Sequence, residues 1–208
     1  DISGSNLFGT RNRFKRELLA EIAGMLAFLA IRTNDKVGAI LFSSRVEKYI
    51  PPKKGASHVW RLIKEIFTYM PKDLNTDIES VLTYLNRVMK RHAIVFMISD
   101  CMDSGFEKPL KLTAKRHDLS VIRISDPAEK TLPELGLMTV RDPETGQITL
   151  IDTRSKTLKK KWQMYNQRHE TYLTDLFQKT GVDLAQIDTA DSVVEPLMRL
   201  FDRRRRRL

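Results

Sequence analysis

The chain has 208 residues, a net charge of +10, 41% hydrophobic and 30% charged residues, and one cysteine, Cys101. Such a chain can bury its own core, and the composition excludes a disordered or collagen-like polypeptide. One cysteine excludes an intramolecular disulfide and a multi-cysteine zinc site, and it fits a reducing, cytoplasmic setting.

Apolar residues at Phe14, Leu18, Ile22, Met25/Leu26 and Leu29 predict a helix over 14–32, with a small apolar far face that implies burial. Val37 to Phe42 reads as a buried strand. Val46 to Ile50 reads as an edge strand closed by Pro51-Pro52. Ser57 is placed to cap a helix reaching Tyr69, with Val59, Leu62, Ile63 and Ile66 inward. Asp77 to Lys90 is a second amphipathic helix. Ala93 to Ile98 is an unbroken apolar run, which predicts a central parallel strand buried on both faces. A helix over 107–117 and a strand over 119–124 follow. Residues 1–126 therefore read as an α/β core with a mainly parallel sheet.

The remainder differs in pattern. Two short strands, 138–140 and 148–151, flank the turn Asp142-Pro143-Glu144-Thr145-Gly146, which predicts a hairpin insertion over 127–154. Ser155 caps a long helix ended by Gly181, with an inward stripe of Leu158, Trp162, Tyr165, His169, Leu173 and Leu176/Phe177. A strand over 182–187 and a helix over 191–201 complete a C-terminal part, 155–208. The whole is expected to be a single domain.

Arg203 to Arg207 carry half of the net charge. This run reads as a solvated, disordered end. It lacks the interleaved aromatics of an RNA-binding surface, so nucleic acid is not the expected partner. The longest apolar stretch, Leu18 to Ile31, contains Glu21 and falls short of the about 20 residues that a membrane span needs. The sequence starts at Asp1, so it is expected to be part of a longer chain. Any targeting or membrane segment would lie upstream.

Ligands of open α/β sheets bind at the carboxyl ends of the strands. Asp1, Ser3 and Ser5, the loop Asn75-Thr76-Asp77, Ser99-Asp100 with Asp103, and Ser125-Asp126 all fall there. Carboxylates and hydroxyls without His or Cys clusters are hard ligands, suited to Mg²⁺ or Mn²⁺. In a loop leaving a strand, alternate residues can face one way, so Asp1, Ser3 and Ser5 can converge. Asp77 reads as a helix cap and Asp103 as loop surface. The four histidines read as structural and Cys101 as a buried small residue.

Asp1, Ser3 and Ser5, then Thr76, then Asp100 resemble the metal-ion-dependent adhesion site (MIDAS) of a von Willebrand factor A domain. Several further segments extend the likeness over essentially the whole chain. They are Asn34 to Gly38, Phe42 to Pro52, Asn75-Thr76-Asp77, Ile98-Ser99-Asp100, Ile124 to Pro127, and Gly136-Leu137 with the Asp142 to Gly146 turn. Together they resemble the bacterial DUF58 family. The resemblance implies a Rossmann-like, doubly wound sheet flanked by helices. It also implies a Mg²⁺ or Mn²⁺ site formed by Asp1, Ser3, Ser5, Thr76 and Asp100, with a position left for an acidic residue of a partner protein. It suggests a non-enzymatic interaction module, with a MoxR-type AAA+ ATPase as candidate partner. In the family pattern an apolar strand precedes the first motif, and here it would lie upstream of Asp1.

The competing reading is a metal-dependent nuclease or phosphohydrolase. It would want several clustered carboxylates, and Ser3 stands where a D-x-D phosphatase places its acid. No G-x-G-x-x-G follows a strand, which removes a dinucleotide-binding enzyme.

Overall fold

The computed structural model describes residues 1–9 and 13–206. A 3-10 turn at Gly4–Leu7 leads to helix α1 (Lys15–Arg32), strands β1 (Val37–Phe42) and β2 (Val46–Lys53), and helices α2 (Ala56–Thr68) and α3 (Ile78–Val88). Strand β3 (Ile94–Ser99), helix α4 (Glu107–Arg116), strand β4 (Asp118–Ser125) and short helix α5 (Pro127–Lys130) follow. A hairpin of β5 (Leu137–Arg141) and β6 (Ile148–Asp152), helix α6 (Lys156–Thr180), strand β7 (Asp183–Asp188) and helix α7 (Val194–Arg205) complete the order.

Strands β3, β4 and β7 form a parallel sheet with β4 in the middle, while β1 pairs with β2 and β5 with β6, both antiparallel. The apolar run of β3 predicted a central strand. Among the described residues β3 pairs only with β4, and Ile94 at its start is exposed. Strand β4 is the one buried along nearly its whole length. Asp1 and Ile2 lie between the carboxyl ends of β1 and β3. Ile2 N donates to Phe42 O (2.8 Å) and Asp1 N to Ile98 O (3.0 Å).

The sheet has a packed core on each face. Ile122 and Ile124 of β4 pack with Leu18 and Ile22 of α1, Leu62 of α2 and Leu197 and Leu200 of α7. Leu119 and Val121 face the other way, onto Ile78 and Leu82 of α3, Phe106 just before α4, Leu110 within it, and Leu173 and Phe177 of α6. This alternation follows from the two-residue period of a strand. Each such side chain stabilises the fold by roughly 1.5–3 kcal/mol through area removed from water. Helices on both faces make the fold doubly wound.

Several local expectations change. In α1 the buried apolar side chains are those of Leu18, Leu19, Ala20, Ile22 and Ala27, whereas Phe14, Phe28 and Leu29 are exposed. Phe28 instead meets Trp60 of α2 edge-on, 5.3 Å between ring centres. Strand β1 is half-buried over its first four residues. Strand β2 continues through Pro51-Pro52, which an edge strand tolerates because the missing amide is not needed by a second neighbour. Helix α2 starts from Gly55, so Ser57 lies inside it. In α6 only Leu173, Leu176 and Phe177 are buried, and Tyr165 faces solvent, while Trp162 and Asn166 of the first half meet α5.

The arginine run is likewise not a disordered end over the described residues. Helix α7 includes Arg203 to Arg205. Arg203 donates to Leu184 O (2.7 Å), and Arg204 reaches Ser120 Oγ and Asp118. Arg207 lies outside the described residues. Among the described residues, no helix is long and apolar enough to cross a membrane.

Candidate metal and partner-binding site

The loop after β3, the first residues of the chain and the start of α1 meet at the carboxyl end of the parallel sheet. Asp1 is fixed through both carboxylate oxygens, since Oδ1 accepts from Ser3 N (3.0 Å) and Oδ2 from Ser99 Oγ (2.5 Å). Ser3 Oγ and Ser5 Oγ are 3.0 Å apart, and the Ser5 side chain lies near enough to Asp100 to help lower its pKa. Asp100 Oδ1 accepts from Met102 N (3.2 Å). The two serines converge because a 3-10 turn curls Gly4 to Leu7, not because the loop is extended. Asp1, Ser3 and Asp100 are buried, and Ser5 is partly exposed.

Thr76 lies on a second loop. Gly4 N donates to Leu74 O (2.8 Å), which ties that loop to the first. Thr76 Oγ1 donates to Glu144 Oε1 (2.8 Å), at the tip of the β5–β6 hairpin. Asp77 caps α3, accepting from Ser80 N (2.8 Å). Asp103 is more than loop surface, because its Oδ2 accepts from Ile78 N (2.8 Å) and holds the start of α3.

Three charged residues at the site were not singled out from sequence. Lys15 is only 1% exposed, and its ammonium lies 2.8 Å from Asp100 Oδ2 and 2.6 Å from Glu129 Oε1. Burial alone would lower its pKa. The charges of Asp100 and Glu129, with their hydrogen bonds, outweigh that and raise it. Burial likewise works to raise the Asp100 pKa, but the Lys15 ammonium with its hydrogen bond, the nearby Ser5 side chain and the hydrogen bond from Met102 hold it low. Glu129 is held in turn by α6, whose Trp162 Nε1 (2.7 Å) and Asn166 Nδ2 (2.6 Å) donate to its carbonyl. Glu144 is pushed up by burial and by the charges of Asp100, Asp142 and Asp103, against the Thr76 hydrogen bond. A signal for Lys15 was available: it shares a helical face with Leu18, Leu19 and Ile22. Glu129 carries a local mark as the third helical residue of the capping box begun by Asp126, whose N donates to Glu129 Oε2 (3.0 Å), but neither it nor Glu144 is marked locally as a residue of this site.

This donor set fits a hard divalent cation. Among the described residues no three His, Cys, Asp or Glu side chains cluster as metal ligands. The groups that converge are hydroxyls with two carboxylates, which is the chemistry Mg²⁺ accepts with water completing its shell. The Lys15 ammonium, the buried Arg123 guanidinium, whose Nε donates to Asp100 O (3.2 Å), and the acids Asp1, Asp100, Glu129 and Glu144 share this end of the sheet.

A parallel sheet with helices packed on both faces is a doubly wound α/β fold of the von Willebrand factor A-like kind. The crystal structure of the conserved hypothetical protein BatB from Bacteroides thetaiotaomicron has this fold, with a TM-score of 0.65 and 17% identity over 99% of this chain and 96% of that one. Residues 1–172 match the family described as protein of unknown function DUF58, and the chain belongs to it. Uncharacterized protein Rv1480 of Mycobacterium tuberculosis is 27% identical over 151 residues, 71% of this chain and 48% of the relative. Uncharacterized protein MAV169 of Mycobacterium avium is 24% identical over 160 residues, 76% of this chain and 94% of the relative. The chain thus spans about half the length of Rv1480.

Proposed function

We propose that this chain is a cytoplasmic, non-enzymatic protein-binding module. In this reading Asp1, Ser3, Ser5, Thr76 and Asp100 hold Mg²⁺ or Mn²⁺, and an acidic side chain of a partner protein completes the shell. A MoxR-type AAA+ ATPase is the candidate partner, proposed from the family resemblance. The observation that carries the reading is the buried cluster in which Asp1 is oriented by Ser99, and Ser3 and Ser5 turn their hydroxyls together beside Asp100. A bound cation would supply a concentrated positive charge with an open position for a carboxylate. The protein's part is to fix the donors in advance, so that little ordering remains at binding. A nuclease or phosphohydrolase is less well supported, since hydroxyls fill positions where two-metal chemistry needs acids.

The test is thermal unfolding of chelator-stripped protein during titration with Mg²⁺ and Mn²⁺, with Ser3→Ala and Asp100→Asn as controls. A ligand at 100 times its Kd stabilises by about 2.7 kcal/mol. For a chain of this size that is a rise of roughly 5–10 °C. The rise should be saturable and absent in both variants. A flat melting temperature up to millimolar metal would remove metal from the function.

A further inference from the structure

The β5–β6 hairpin reaches back over the site, and its tip is built to present one carboxylate. Asp142 Oδ1 accepts from Glu144 N (2.8 Å) and Thr145 N (3.2 Å), and Gly146 N donates to Asp142 O (2.9 Å). These bonds fix the turn and leave the Glu144 side chain free to reach Thr76 Oγ1 at 2.8 Å. Glu144 also lies within electrostatic reach of Asp100. The backbone makes a second, independent approach. A Cβ on Gly4, the residue between Ser3 and Ser5, would stand 2.4 Å from Pro143 O and 3.0 Å from Leu74 Cβ. Glycine at position 4 is therefore what lets the tip close on the loop. The base of the hairpin is anchored separately. Thr153 is fully buried, donates to Gly136 O (2.9 Å) and accepts from Leu135 N (3.0 Å). The strands between are largely exposed on one face, at Leu137, Ile148 and Leu150. A fixed base with an exposed arm lets the tip move without unfolding the domain.

We propose that Glu144 is the site's own acidic occupant, standing at Thr76 in the position that a partner's carboxylate takes, so that the site is self-capped and opens when the hairpin tip lifts. This rests on the metal-assisted reading above. In that state Glu144 supplies one ligand to the bound cation, and a partner binds by displacing it. Partner affinity is then set by a competition within the chain. The hairpin is the regulatory element, and the chemistry of the competitor is that of an acidic side chain.

Mn²⁺ alone is a sufficient probe. Its affinity is read by electron paramagnetic resonance, and its remaining water ligands by the relaxation it imparts to water protons. Glu144→Ala should weaken Mn²⁺ binding about tenfold or more, the scale of losing a supporting group. Relaxation per bound Mn²⁺ should rise, because water takes the vacated position. Gly4→Ala keeps every donor side chain but displaces the tip, so it should raise the relaxation in the same way. If Asp100→Asn abolishes Mn²⁺ binding while Glu144→Ala changes neither affinity nor relaxation, self-capping is wrong and the metal site stands. Weaker binding with unchanged relaxation would make Glu144 a distant charge, not a ligand, and would also overturn the proposal. If the unaltered chain binds no Mn²⁺, both this inference and the metal reading fall.

Discussion

The two ends of the parallel sheet handle buried polarity differently. At the carboxyl end Asp1, Ser3, Ser99, Asp100, Lys15, Asp126 and Thr189 are buried, and each is hydrogen-bonded, Ser3 within its own turn and the others to another loop or helix. At the amino end the polar groups are fewer. Arg204 pairs with Asp118 and Ser120, while buried His117 has no hydrogen-bond partner for either ring nitrogen among the described residues. All three parallel strands deliver their following loops to one end, so charge can be concentrated there, and each charge obliges another to accompany it. The amino end is closed by packing and the arginines of α7.

That contrast predicts a hierarchy of damage. Lys15→Met should be the most harmful change, since it strips Asp100 of its buried counter-charge. The expected loss is about 3–5 kcal/mol in urea unfolding. Added Mg²⁺ should restore more stability to this variant than to the unaltered protein. A loss below about 1 kcal/mol would show that the acids at this end do not depend on the ammonium. Arg204→Ala should cost only about 1 kcal/mol, because Asp118 is partly solvated. Part of that loss is the stacking of its guanidinium on Phe96, 5.3 Å from the ring centre.

The smallest effect is a slope. Burial, then the charges of Arg116 and His92, lowers the His117 pKa from its ordinary 6.5. The unfolded chain therefore takes up this proton first as the pH falls. The stabilisation from keeping His117 neutral is complete above about pH 6.5, declines below it, and levels off beneath the folded value. His117→Phe should flatten the dependence of melting temperature on pH between about 7.5 and 5.5. An unchanged slope would mean that another group sets it.

Much of this was legible from residue patterns. Ser155 and Gly181 bound α6 as capping rules require, and the Asp142 to Gly146 turn lies between β5 and β6. Ser3 and Ser5 do meet, but through a 3-10 turn and not through the alternation of an extended loop. What escaped was tertiary. Lys15 and Glu129 are 114 positions apart, and Thr76 and Glu144 are 68 apart, so neither pair leaves a local trace. Lysine also reads as solvent-facing by habit, even on an apolar helical stripe. The apolar run of β3 announced burial without saying which neighbours cover it, and β4, with Ser120 and Arg123 in its sequence, proved the better-buried strand.

Cys101 sits one residue beyond the site, with a left-handed backbone (φ 58°), fully buried. Burial, and then the Asp100 charge, push its thiol up to about 12. Alkylating reagents attack thiolates, so at neutral pH they find nothing to react with here. The protein is in effect a silent background for labelling. A single reporter cysteine at the hairpin tip, such as Thr145→Cys, would carry a fluorophore alone, and the movement of that tip could be watched in an otherwise unaltered chain.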